Sequence, residues 1–155
     1  MHALAGTDPE RFIADFYTSF TRDLLGDDDP AAVVDRYHTP DIVQVADGHR
    51  MDRDTLIAHT RPVRKDRSTA RMEVHDALAD GDRIAARYTL HVHQRGKDLR
   101  IEVCFFGRFA ADGRMRAANM LTRSVPADRT ATAWPAGTAP PPSPRRSSAS
   151  PASPP

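Results

Sequence analysis

Asp76 and His59 are the residues of this chain best suited to moving protons at neutral pH. Asp76 falls in an apolar series of alternate residues, where burial would raise a carboxyl pKa. His59 lies on the apolar side of a helical stretch, and an imidazole titrates near neutrality. Facing one another across a pocket, the two would make an acid/base pair. Tyr88, Tyr37 and Asn119 would then hold a carbonyl or enolate oxygen by hydrogen bonds. Tyr17, Phe20 and Phe105 complete the expected ligand-binding wall. The plainer alternative is that Asp76 bonds backbone amides at the Ala79–Asp82 turn and that His59 is a satisfied core imidazole. Tyr17 and Tyr37 read as wall rather than catalyst, because amphipathic rings suit pocket rims.

Other reactive side chains carry less. His91 and His93 point the same way on a strand and, with His75 or Glu102 alongside, have the donor types of a zinc site. Same-face histidines on a polar sheet surface arise by accident, so no metal or other cofactor is expected. Asp27, Asp28 and Asp29 precede Pro30 and favour the positive end of a helix there. Cys104 reads as a packing residue.

The elements that would position these groups follow from periodicity. Thr7 and Glu10 have capping-box spacing, after which Phe12, Ile13, Phe16, Tyr17, Phe20 and Leu24 form one helical stripe ending at Gly26. A shorter helix begins at Asp29-Pro30 and closes at His38-Thr39-Pro40. A short strand over Ile42, Val43 and Val45 turns at Asp47-Gly48. Asp52 caps a third helix bearing Leu56, His59 and Val63, with Pro62 expected to end or kink it. From Thr69 to Arg123 four strands alternate. One face collects Met72, Val74, Asp76 and Leu78, then Ile84, Ala86, Tyr88 and Leu90, then Ile101, Val103, Phe105 and Phe109, then Met115, Ala117, Asn119 and Leu121. A few polar groups on such a surface suggest a ligand pocket more than a sealed core. The opposite face carries an apolar spot of Cys104, Phe106 and Met120, which a second copy of the chain would cover.

Composition bounds the classes. Residues 126–155 hold nine of the thirteen prolines with Trp134 as the one large apolar residue, and read as a disordered tail. Residues 1–125 remain as one domain of ordinary size. Setting aside the tail's three arginines and one aspartate takes the formal charge from +1 to −1, which argues against nucleic acid as a partner. One cysteine permits no internal disulfide, and no stretch approaches a membrane span, so a cytoplasmic setting is expected.

The predicted order is helix, helix, strand, helix, then a four-stranded meander. That is an α+β domain, a curved antiparallel sheet wrapped around three N-terminal helices. The run Glu73 to Leu90, with Gly81-Asp82-Arg83-Ile84-Ala85-Ala86-Arg87, and the run Phe106 to Met115, with Arg108-Phe109-Ala110-Ala111-Asp112-Gly113-Arg114-Met115, resemble the SnoaL-like branch of the nuclear transport factor 2-like superfamily. The resemblance covers roughly residues 10 to 124. It implies a cystatin-like cone with a ligand cavity, often homodimeric, in a family that includes cyclases, isomerases, epoxide hydrolases, dehydratases and inactive domains. In the cyclases an acidic residue near the end of the last strand acts as acid/base. The matching stretch here, Ala117 to Arg123, contains no carboxylate. The expected function is binding of a small hydrophobic molecule, with lyase, isomerase or cyclase action on a carbonyl or polycyclic compound. The alternative is a non-catalytic ligand-binding or dimerisation module.

Overall fold

A computed structural model describes residues 4–126. The proposed tail lies outside these residues, apart from Pro126. Three helices and six strands follow the expected order with one short strand, β2, added to it: α1 (Pro9–Leu24), α2 (Pro30–Tyr37), β1 (His38–Ala46), β2 (His49–Met51), α3 (Arg53–Lys65), β3 (Thr69–Asp80), β4 (Arg83–Gln94), β5 (Lys97–Phe109) and β6 (Met115–Val125). The strands form one sheet in the order β2-β1-β6-β5-β4-β3. All pairings are antiparallel except β1 with β6, which run parallel. The long meander β3–β6 curls over α1, and the buried core of Ile13, Ile42, Ile84, Val103, Phe105 and Phe109 fills the space between them.

Local chemistry explains the helix boundaries. Asp8, rather than Thr7, caps α1, its Oδ1 accepting from the Glu10 amide at 3.0 Å, with Pro9 in the first turn. Asp52 caps α3 as expected, its Oδ1 accepting from the Thr55 amide at 3.0 Å. Pro62 does not end α3, which runs on to Lys65. β1 begins four residues earlier than the apolar run Ile42–Val45 implied. His38 is both the residue after α2 and the first of the strand. Pro40 cannot donate to a ladder, and the β1–β6 register shifts between His38 and Val43, where Pro40 sits.

Two departures from strict alternation control the rest. In β3, Val74 pairs with Tyr88 and Asp76 with Arg87, leaving His75 as an extra residue. In β6, Met115 pairs with Phe109 and Ala117 with Arg108, leaving Arg116 as an extra residue. Each is a β-bulge, and each moves every later side chain of its strand to the opposite face. After His75 it is Ala77 that packs on the core, while Leu78 is 76 % exposed. After Arg116, Ala118 and Met120 turn inward, and Asn119 and Leu121 turn out.

Candidate functional site

The concave side of the sheet and helices α1 and α3 enclose a cavity of about 360 Å³. Helix α1 contributes Ile13, Phe16, Tyr17, Phe20 and Leu24. Helix α3 contributes Leu56, His59, Thr60 and Val63, and the strands supply Met72, Tyr88, Leu90, Phe105 and Met120 among others. None of its twenty lining residues is Asp, Glu, Lys or Arg. A cavity of this size with a few polar groups in an apolar wall has the build of a small-molecule site.

Of the residues singled out in the sequence, His59, Tyr17, Phe20, Tyr88 and Phe105 line this one cavity. His59 is exposed, at its rim. Tyr37 lies behind the wall: its ring meets Phe16 and Phe20 edge-on at 5.7 and 5.4 Å, and its hydroxyl donates to Asp23 Oδ2 at 2.6 Å. Asp76 and Asn119 are not in the cavity. The bulge at His75 turns Asp76 to the convex face, where its carboxylate is 74 % exposed and accepts from Arg87 Nη2 at 3.2 Å. The bulge at Arg116 turns Asn119 to the same convex face, opposite Phe106. Asp76 and His59 therefore do not form the pair that alternation suggested, because the assumed period of two fails at one residue in each strand.

Sequence reasoning missed His38. It lies in the cavity wall, 3 % exposed, with Phe16 and Phe20 edge-on to its ring at 5.9 and 5.1 Å. Its Nδ1 is 3.0 Å from the Val34 carbonyl, which can only accept, so Nδ1 carries the proton and donates. Burial lowers the pKa of His38, against the opposing influence of the Val34 bond and of the Asp35 charge. The faint signal in the sequence was its place one helical turn after Val34, continuing the apolar side of α2. Two phenols share the cavity with it. Burial raises the pKa of Tyr88, and the neighbouring Tyr17 adds to that rise. Burial also raises Tyr17, with a Thr21 hydrogen bond opposing. Both remain neutral donors at physiological pH.

The convex-face histidines are engaged in pairs. His75 Nε2 meets Thr89 Oγ1 at 2.7 Å, His91 Nε2 meets Glu73 at 2.8 Å and His93 Nδ1 meets Asp98 at 2.7 Å. Among the described residues no group of three or more His, Cys, Asp or Glu side chains is arranged to hold a metal ion. Cys104 is exposed rather than packed. The apolar spot expected on this face is present with altered membership, since Met120 lies inside and Leu121 takes its place. Leu78, Ala85, Phe106, Asn119 and Val45 are register partners in turn, so they form one row across five strands. Phe106 is 65 % and Leu121 67 % exposed. No helix among the described residues is long and apolar enough to cross a membrane.

The same architecture recurs among solved structures. An LEH-like epoxide hydrolase of M. tuberculosis superposes with a TM-score of 0.58 at 16 % identity, over 74 % of this chain and 81 % of that one. IdmH from Streptomyces antibioticus gives 0.54 at 18 % identity, over 74 % and 91 %. The epoxide hydrolase/cyclase-like enzyme SalBIII, described in pyran ring formation in polyether salinomycin, gives 0.52 at 13 % identity, over 70 % and 88 %. At these identities the likeness is one of fold. No curated protein matches in sequence. The model of the SnoaL-like domain matches residues 13–118, more than half of the chain, and those residues carry most of the curved sheet and all of the cavity lining except Met120 and Thr122; the chain belongs to the SnoaL-like family.

Proposed function

We propose that the cone cavity binds a neutral, hydrophobic carbonyl or polycyclic compound and that the chain carries out isomerase, lyase or cyclase chemistry on it. The observation that carries this reading is the cavity: about 360 Å³, walled by aromatic and aliphatic side chains, with imidazole and phenol groups and no formal charge among its lining residues. An apolar guest gains by leaving water, and the few polar groups orient it. An ionised guest would lose its hydration without a counter-charge. Kinship with an epoxide hydrolase and with a cyclase-like enzyme supports the choice of reaction classes. A second reading, a ligand-binding module without turnover, is favoured by one observation: no carboxylate lines the cavity, and Asp76 sits on the convex face with Arg87.

The same proposal includes a homodimer, formed where the row from Leu78 to Val45 meets its counterpart in a second copy, and a cytoplasmic setting in which Cys104 stays a free thiol. Binding is tested with 2-methoxynaphthalene, a neutral fluorescent bicycle. Saturable binding is expected. Leu56→Trp, which pushes an indole into the cavity from α3, should weaken it at least tenfold with the circular dichroism unchanged. Binding that ignores Leu56→Trp, or no binding to the wild type, would sink the reading.

A further inference from the structure

We propose that His38 is the proton acceptor of the cavity, taking a proton through Nε2 from an acidic O–H or C–H of the bound molecule. This rests on the cavity being the ligand site. The Nδ1 proton is committed to the Val34 carbonyl at 3.0 Å, which fixes the tautomer and leaves Nε2 as a bare lone pair on the far side of the ring. Among the described residues no group bonds Nε2. Nor is it sealed in: among the described residues, the fully enclosed side-chain nitrogen and oxygen atoms without a partner are Arg64 Nη2, Ser68 Oγ and Arg100 Nε. With His38 nearly buried and in the cavity wall, the space that Nε2 meets is the cavity.

The surroundings suit a base. Val34 O accepts both the backbone amide and the side chain of His38, so the ring is anchored at the junction of α2 and β1. Phe16 and Phe20 pack against it with ring planes nearly perpendicular to its own. Burial keeps it neutral, and therefore able to accept, at physiological pH. Asp35 is the charged group acting on it, and that carboxylate is itself bound bidentately by Arg53 at 2.6 and 2.8 Å. From β4 the Tyr88 phenol faces the same cavity with no hydrogen-bond partner among the described residues, and from α1 comes Tyr17. Proton transfer breaks the ligand's O–H or C–H bond and forms N–H at Nε2, leaving the electron pair on the ligand oxygen or in an enolate. The charge so formed would be met by a hydrogen bond from Tyr88. The imidazolium keeps its Nδ1–H on Val34. No other reactant is needed, and an imidazole at a helix–strand junction replaces a carboxylate on the last strand.

The test uses 2-naphthol, whose excited state is a strong acid and emits at longer wavelength once deprotonated, beside 2-methoxynaphthalene, which has no proton to give. Bound to the wild type, 2-naphthol should show anion emission and bind about three- to tenfold tighter than the ether. His38→Asn keeps an N–H for Val34 and removes Nε2, so the anion emission and the affinity difference should both vanish. Nitrogen-resolved NMR of the unliganded wild type should find His38 with Nδ1 protonated and Nε2 bare at neutral pH. Anion emission that survives His38→Asn, or that disappears on His59→Gln instead, overturns the assignment. So does a protonated Nε2 by NMR, whatever becomes of the variant. If neither naphthalene binds, the ligand-site reading fails; if both bind without transfer, the role of His38 alone fails.

Discussion

The most quantitative expectation concerns Asp23, the residue that ties the two helices behind the cavity wall together. Its Oδ2 accepts from the Tyr37 hydroxyl at 2.6 Å and from Arg36 at 2.9 Å, and its Oδ1 accepts from Arg22 at 3.1 Å. These bonds, that from Tyr37 foremost, lower its pKa from 3.8 to about 2. At 1.36 kcal/mol per unit the shift is worth about 2.4 kcal/mol of preference for the ionised folded state. Arg36 and Arg22 are 47 % and 71 % exposed, so solvent screens part of it, and about 1–2 kcal/mol is the expected effect. A depressed carboxyl pKa stabilises above the unfolded value. That contribution is present in full above pH ~4–5 and disappears as pH falls through 3.8 toward about 2. Asp23→Asn keeps the shape and removes the titration. Urea unfolding at pH 6 should therefore find the variant about 1–2 kcal/mol less stable than the wild type, with the gap closing by pH 2. A gap of equal size at both pH values, or none at pH 6, would refute the argument.

Gly107→Ala should cost about 1–3 kcal/mol by urea midpoint, because a Cβ there would lie 2.4 Å from Phe105 Cζ and 3.2 Å from Phe109 Cε2 in a packed core; a neutral result would mean that the two rings can yield. Phe106→Arg should turn a dimer into a monomer in sedimentation without altering the dichroism, and a wild type already monomeric at tens of micromolar would remove the homodimer proposal. Truncation after Val125 should leave the melting temperature within about 2 °C, since the tail's composition offers little apolar surface to a core; a fall of about 10 °C would show that Trp134 docks.

The element order and the cone were legible because helices and strands announce themselves by apolar spacing, and β4 and β5 keep an unbroken period of two from Ile84 to Leu90 and from Ile101 to Phe105. Tyr88 and Phe105 were found for that reason. Asp76 and Asn119 were misplaced because each lies just beyond an extra residue, His75 or Arg116, and a bulge leaves no mark in an alternation count made from one end of the strand. His38 was overlooked because His38-Thr39-Pro40 reads as the close of a helix. The chain instead passes straight into β1 there, and the imidazole keeps its last helical bond while entering the wall of the cavity.

Arg116 has a consequence for how such a pocket can change. The face presented by the end of β6 is set by its pairing with β5, in which Met115 and Ala117 meet consecutive residues and Arg116 takes no partner. Deleting that single arginine would leave Met115 opposite Phe109 and Ala117 opposite Arg108 in an unbroken period of two, so Ala118 and Met120 would still face the guest and Asn119 and Leu121 the convex side. The convex row through Phe106, with Asn119 as its β6 member, would stay intact as well. A one-codon deletion at that point would thus leave ligand preference and self-association as they are, so the length of this strand is open to change where its facing is not.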